Sequence, residues 1–131
     1  MNPSNLSNAA LAYLGDCVIE LCVREMLVKN GISHSADLNA HALDFVKAGA
    51  QSEAMKLILP LLSEEEDAVF RRGRNIGHTN TPKSATAGQY RTATGMEALL
   101  CWLHLSGKKE RIDELFSVAY APQIEKILNN K

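Results

Sequence analysis

The chain has 131 residues, 46% of them apolar and 22% charged, with a formal net charge of −1. That length suits one domain, 1–131, and the apolar share is enough for an ordinary core, which excludes intrinsic disorder. No segment approaches the roughly 20 consecutive apolar residues of a membrane span, and the opening MNPSNLSNAALAYLGD lacks the basic region of a secretory signal; no membrane association and a cytoplasmic location are expected.

Apolar positions recur at three and four residues almost throughout, with no alternating strand pattern, so the fold class expected is all-α. Ser4 or Asn5 is placed to cap a first long helix, about Leu6 to Lys29, closed by Asn30-Gly31. Ser35 or Asp37 starts a second helical stretch through His41 and Asp44. A third apolar stripe (Phe45, Ala48, Ser52, Met55, Ile58, Leu59) runs on to Pro60. Ser63 followed by Glu66 is a capping-box pair for a helix ending near Gly73. Arg74–Gly88 is rich in Gly, Asn, Thr, Ser and Pro and reads as the one long loop, a length that in compact domains often carries function. A strongly apolar helix, about Tyr90 to Leu105, stops at Ser106-Gly107. Two shorter helices, Glu110–Ala119 and Pro122–Leu128, complete a single bundle.

The three cysteines, Cys17, Cys22 and Cys101, lie in apolar helical stretches without ligand spacing and are expected to be small buried hydrophobes in a reducing compartment. Net charge makes no case for a polyanionic partner, but its distribution does. Between Ala68 and Met96 there is no acid, while Arg71, Arg72, Arg74, Lys83 and Arg91 fall in that window. Such a run is either a solvated helix face, with Asp67 pairing Arg71 at i,i+4, or a surface for phosphates.

Two acids stand where acids are costly. Asp16 and Glu20 are the only charges in LAYLGDCVIELCV, and Glu97 is the only acid in TGMEALLCWLHL. A buried, unpaired carboxylate costs several kcal/mol, so a cation, hydrogen bonds or a metal must compensate. Two readings stay open: acids satisfied by arginine or backbone groups, or an inward-facing pair of hard oxygen ligands suited to Mg²⁺ or Mn²⁺. Glu20 with Arg24 is an ordinary i,i+4 ion pair. Gly15 and Gly95 sit beside the acids inside helices, where each costs up to about 1 kcal/mol relative to Ala, so close helix approach or substrate access would explain them.

The stretch LAYLGDCVIELCVR (Leu11–Arg24) resembles the signature helix of the ribonuclease III family, and its flanking residues resemble the Mini-ribonuclease III branch. VKAGAQSEA (Val46–Ala54), RRGRN (Arg71–Asn75) with Pro82-Lys83, and YRTATGMEALLCWLHLSG (Tyr90–Gly107) follow in matching order. The resemblance implies a ribonuclease III-type helical bundle acting as a symmetric homodimer. It implies a catalytic domain with no separate double-stranded-RNA-binding domain after it. Asp16 and Glu97 take the positions of the family's metal-binding Asp and Glu, with Mg²⁺ (or Mn²⁺) between them. Arg72, Arg74, Lys83 and Arg91 would contact RNA phosphates, and Glu20 and Thr94 are auxiliary candidates. The expected activity is cleavage of double-stranded RNA to 5′-phosphate and 3′-hydroxyl ends, with a large-subunit ribosomal RNA precursor as substrate. Ala9, Ala12 and Thr94 stand where full-length ribonuclease III has acids, which implies fewer direct metal ligands and a wetter metal shell. The alternative is a catalytically silent module of the same fold that binds RNA or ribosomes.

Overall fold

The computed structural model describes residues 2–75 and 86–129. Its first long helix, α1 (Asn8–Lys29), is capped by Ser7, whose extended backbone lets the side-chain oxygen accept from Ala10 N–H at 3.1 Å. The cap expected at Ser4 or Asn5 is therefore displaced. Pro3–Asn5 forms a separate 3-10 turn, closed by Leu6 N–H on the Pro3 carbonyl. α1 ends as Asn30-Gly31 dictates. Gly31 takes φ 85°, its N–H reaches the Val28 carbonyl, and Ile32 N–H reaches that of Leu27. This is a Schellman closure, which a residue with a Cβ would strain.

The remaining helices are α2 (Ser35–Val46), α3 (Ala48–Ile58), α4 (Glu64–Arg74), α5 (Ala87–Leu105), α6 (Lys109–Ala119) and α7 (Ala121–Asn129), with no strand among the described residues. Two boundaries differ from the sequence reading. Lys47 adopts an extended conformation that breaks the chain between α2 and α3, so Phe45 lies in the last turn of α2 instead of opening the third stripe. α5 begins nearly a turn before Tyr90, because Thr86 and Gln89 form a capping box that satisfies two backbone N–H groups. Ser63 and Glu66 form the other box, as expected. The expected long loop falls mostly on 76–85, outside the described residues, as do His78 and Lys83.

α5 is the axis of the bundle. It is buried almost all round from Ala93 to Leu103, against α1, α3 and α4, as an all-round apolar helix must be. Ile19, Val23 and Leu27 of α1 meet Met55 and Ile58 of α3, Phe70 of α4 and Met96, Leu99, Leu100 and Leu103 of α5 in one core. Two polar locks close the periphery. Tyr120, fully buried, donates its hydroxyl to the Phe45 carbonyl at 3.0 Å. Glu66, also buried, accepts from Arg111 Nε and a terminal Arg111 nitrogen, both at 2.8 Å. Arg111 further donates to the Leu61 carbonyl and pairs with Glu114. Its hydrogen bonds, with its charge adding to them, hold the Glu66 carboxyl below the usual carboxylate range.

Cys22 and Cys101 are buried as expected, but Cys17 is exposed. It lies on the outward side of α1 with Tyr13 and Leu21, four residues apart in each direction, a face that no described element covers. No described helix is long and apolar enough to cross a membrane.

Candidate active site

The site is set by how closely two helices approach. A Cβ placed on Gly15 would lie 1.9 Å from the Glu97 carbonyl oxygen and 2.8 Å from Glu97 Cα. These are backbone atoms that cannot rotate away, so only glycine permits this contact. On the opposite side of α5, a Cβ on Gly95 would lie 2.8 Å from the Phe70 ring, and one on Gly73 would lie 2.7 Å from Ala98 Cβ. α5 is thus pressed between α1 and α4 by side chains that are missing. The approach expected at Gly15 and Gly95 is present; Gly73, which completes it, was not singled out from the sequence.

The consequence is that residues 16 and 97 meet. Their carboxyl groups lie within hydrogen-bonding reach of each other. Glu97 is half-buried, while Asp16 is exposed at the edge. Both acids were expected to face inward. Only Glu97 does, because Gly15 takes the α1 position that points at α5 and its successor is turned toward solvent. Burial pushes the Glu97 carboxyl up to about 8, and the neighbouring Asp16 charge and the shared hydrogen bond push in the same direction. No arginine, lysine or histidine among the described residues forms an ion pair with either acid. The compensation anticipated from arginine is therefore not made by the described side chains. A carboxylate pair of this kind must either share a proton or take up a cation. Among the described residues no group of three or more His, Cys, Asp or Glu gathers at one point. A metal held here would have two protein carboxylates and an otherwise open shell. That donor set fits Mg²⁺ or Mn²⁺, which keep waters and take phosphate oxygens.

The other candidates distribute as follows. Glu20 pairs with Arg24 at 3.3 Å on the surface. Thr94 is buried and donates its hydroxyl to the Tyr90 carbonyl at 2.9 Å, within its own helix. Arg71 pairs with Asp67 at 2.7 Å. Arg72 donates to the Leu6 carbonyl at 2.8 Å, tying the N-terminal segment to α4. Arg74 and Arg91 come together: with Asn75, Gly88 and Thr92 they line one recess between the end of α4 and the start of α5. Lys83 lies outside the described residues.

The Ribonuclease III domain profile matches residues 9–108. Over 118 residues the chain is 43% identical to the Mini-ribonuclease 3 of Symbiobacterium thermophilum, covering 90% of this chain and 91% of that one. It is 40% identical over 114 residues to the Mini-ribonuclease 3 of Enterococcus faecalis, covering 86% of each. Among solved structures, a crystal structure of a Fusobacterium nucleatum protein superimposes with a TM-score of 0.81 at 30% identity, covering 91% of this chain and 95% of that one. The fold and these matches are those of an endoribonuclease built on a helical bundle. The chain belongs to the ribonuclease III family, in its Mini-ribonuclease 3 branch. Enzymes of this family use a divalent metal ion.

Proposed function

We propose that residues 1–131 form a catalytic domain that cleaves double-stranded RNA with Mg²⁺ bound between Asp16 and Glu97. The substrate we propose is a large-subunit ribosomal RNA precursor in the cytoplasm. The observation that carries this reading is the contact of two carboxyl groups, one of them held up to about 8 by burial and by the other's charge. Bound Mg²⁺ would supply water activation and neutralise charge developing on the scissile phosphate. Asp16, at the open edge, and Glu97, at the closed end, would fix its place. Gly15 would hold the two carboxylates in register. Arg74 and Arg91, with Lys83 and Arg72, would grip phosphates along the duplex, which sets affinity and salt dependence more than sequence choice. Hydrolysis would leave a 5′-phosphate and a 3′-hydroxyl.

A homodimer completes the proposal. α5 spends its apolar surface inside one chain, so it has little surface to offer a partner. What supports association is the outward face of α1, where Tyr13 is 83% and Leu21 53% exposed, with Cys17 between them. A two-fold axis through that face would place two centres on one duplex. Asp16→Asn and Glu97→Gln test the reading. Each should abolish Mg²⁺-dependent cleavage of duplex RNA while circular dichroism and sedimentation stay as in the wild type. Cleavage by either variant at the wild-type rate would overturn it.

A further inference from the structure

Arg74 is the last residue of α4 and is half-buried. Its guanidinium carbon lies 5.7 Å from the centroid of the Phe70 ring, one helical turn earlier, within cation–π range. Phe70 is itself 2% exposed and wedged against Gly95 of α5, so this platform cannot swing. At the edge of the guanidinium, Nε donates to Asn75 Oδ1 at 3.1 Å. With one face on a ring and Nε engaged, the two terminal nitrogens of Arg74 have no partner among the described residues and remain for a ligand. Arg91 lines the same recess and, among the described residues, makes no ion pair or hydrogen bond. No acid stands among the described residues lining that recess. Two guanidinium groups brought together without a carboxylate repel each other, and an anion between them relieves the repulsion.

We propose that Asn75 is a positioning residue for RNA binding: its side-chain carbonyl, with the Phe70 ring, presets Arg74 beside Arg91 so that both take one phosphodiester group. This rests on the reading above that Arg74 and Arg91 grip RNA. An arginine loses much rotamer freedom when it binds, and one already ordered loses less, so preorganisation appears as affinity. Asn75 is exposed, with φ −81° and ψ 0°, a conformation open to alanine, so its replacement leaves the fold intact.

The test is a double-mutant cycle on Arg74→Ala, Asn75→Ala and the pair. It measures affinity for a labelled perfect RNA duplex, steady-state cleavage over a range of RNA concentrations, and single-turnover cleavage at saturating enzyme. Asn75→Ala should raise Kd and KM about three- to tenfold while the saturated rate stays within about twofold. In the Arg74→Ala background it should change nothing further. Equal losses in both backgrounds would overturn the proposal, since Asn75 would then act on RNA without Arg74. So would unchanged affinity in Asn75→Ala alone. If Arg74→Ala bound RNA as tightly as the wild type, the grip assigned to Arg74 would itself fail, a result distinct from the other two.

Discussion

The raised Glu97 carboxyl makes the stability of the metal-free protein depend on pH in a direction that can be worked out. In the folded chain this group titrates near 8, against 4.5 when unperturbed. Between those values the folded state holds a proton that the unfolded state has released, so stability must fall as pH rises through that window. The contribution is fully present below 4.5 and gone above about 8. At about 1.4 kcal/mol per pH unit the whole window sets a ceiling near 5 kcal/mol. Because the cleft opens to water at Asp16, screening and relaxation reduce this to about 2 kcal/mol. For a chain of this size that corresponds to a fall in Tm of roughly 6–10 °C from pH 5 to pH 8.5. The assay is differential scanning calorimetry in chelator, comparing the wild type with Glu97→Gln. Glutamine keeps the shape and removes the titration, so the variant should lose most of that slope and exceed the wild type in Tm at pH 8.5. Restoring Mg²⁺ at pH 8.5 should stabilise the wild type and not the variant, because only the wild type binds the ion while folded. Parallel pH profiles for the two proteins would rule this out, since the Glu97 carboxyl would then not be raised in the folded chain.

Arg111→Ala leaves the buried Glu66 carboxylate without its partner and should cost about 2–4 kcal/mol in urea unfolding. Because Glu66 is held below its ordinary value of 4.5, the stability it lends is present above that pH and lost as pH falls below it, so the variant's deficit should shrink in acid. Gly15→Ala must separate α1 from α5. Mn²⁺ affinity read by electron paramagnetic resonance should drop about ten- to a hundredfold, whereas Gly73→Ala, which strains α4 against α5, should lower Tm with Mn²⁺ affinity retained. Replacing Arg74 and Arg91 together with Ala should weaken duplex binding uniformly across sequences, and should lower the slope of log affinity against log salt by about 0.9 or somewhat less per lost contact. A salt slope that did not move would remove both residues from the phosphate grip.

The features legible in the sequence were those with a local cause. Ser63 with Glu66, the Asn30-Gly31 stop and the unbroken apolar run of α5 each carry their reason within a few residues, and the structure places them accordingly. The close approach of α1 to α5 was legible in Gly15 beside Asp16, a glycine inside a helix that needs a reason, and the structure brings it against the Glu97 backbone. What escaped was decided elsewhere. Thr86 and Gln89 are a capping pair by type and spacing, but they lie inside a polar stretch that reads as loop until α5 is seen to need a start. Lys47 carries no breaker chemistry, and its extended conformation follows from folding α3 back on the core, which helix propensity does not report. Cys17 looks like core by composition. It is exposed because α1 turns one stripe outward. Asn75 and Phe70 meet Arg74 locally, one residue and one helical turn away, and only the wedging of Phe70 against Gly95 depends on the packing of α4 on α5.

Whether Asp16 and Glu97 together hold a divalent ion is read by anomalous scattering from a Mn²⁺-soaked crystal. One strong peak should lie bonded to carboxylate oxygens of both residues, with the rest of its shell filled by water, and no peak should stand there in Glu97→Gln crystals grown alike. A pair of carboxyl groups still in mutual contact at saturating Mn²⁺, with the ion bound elsewhere or not at all, would contradict a metal held by both.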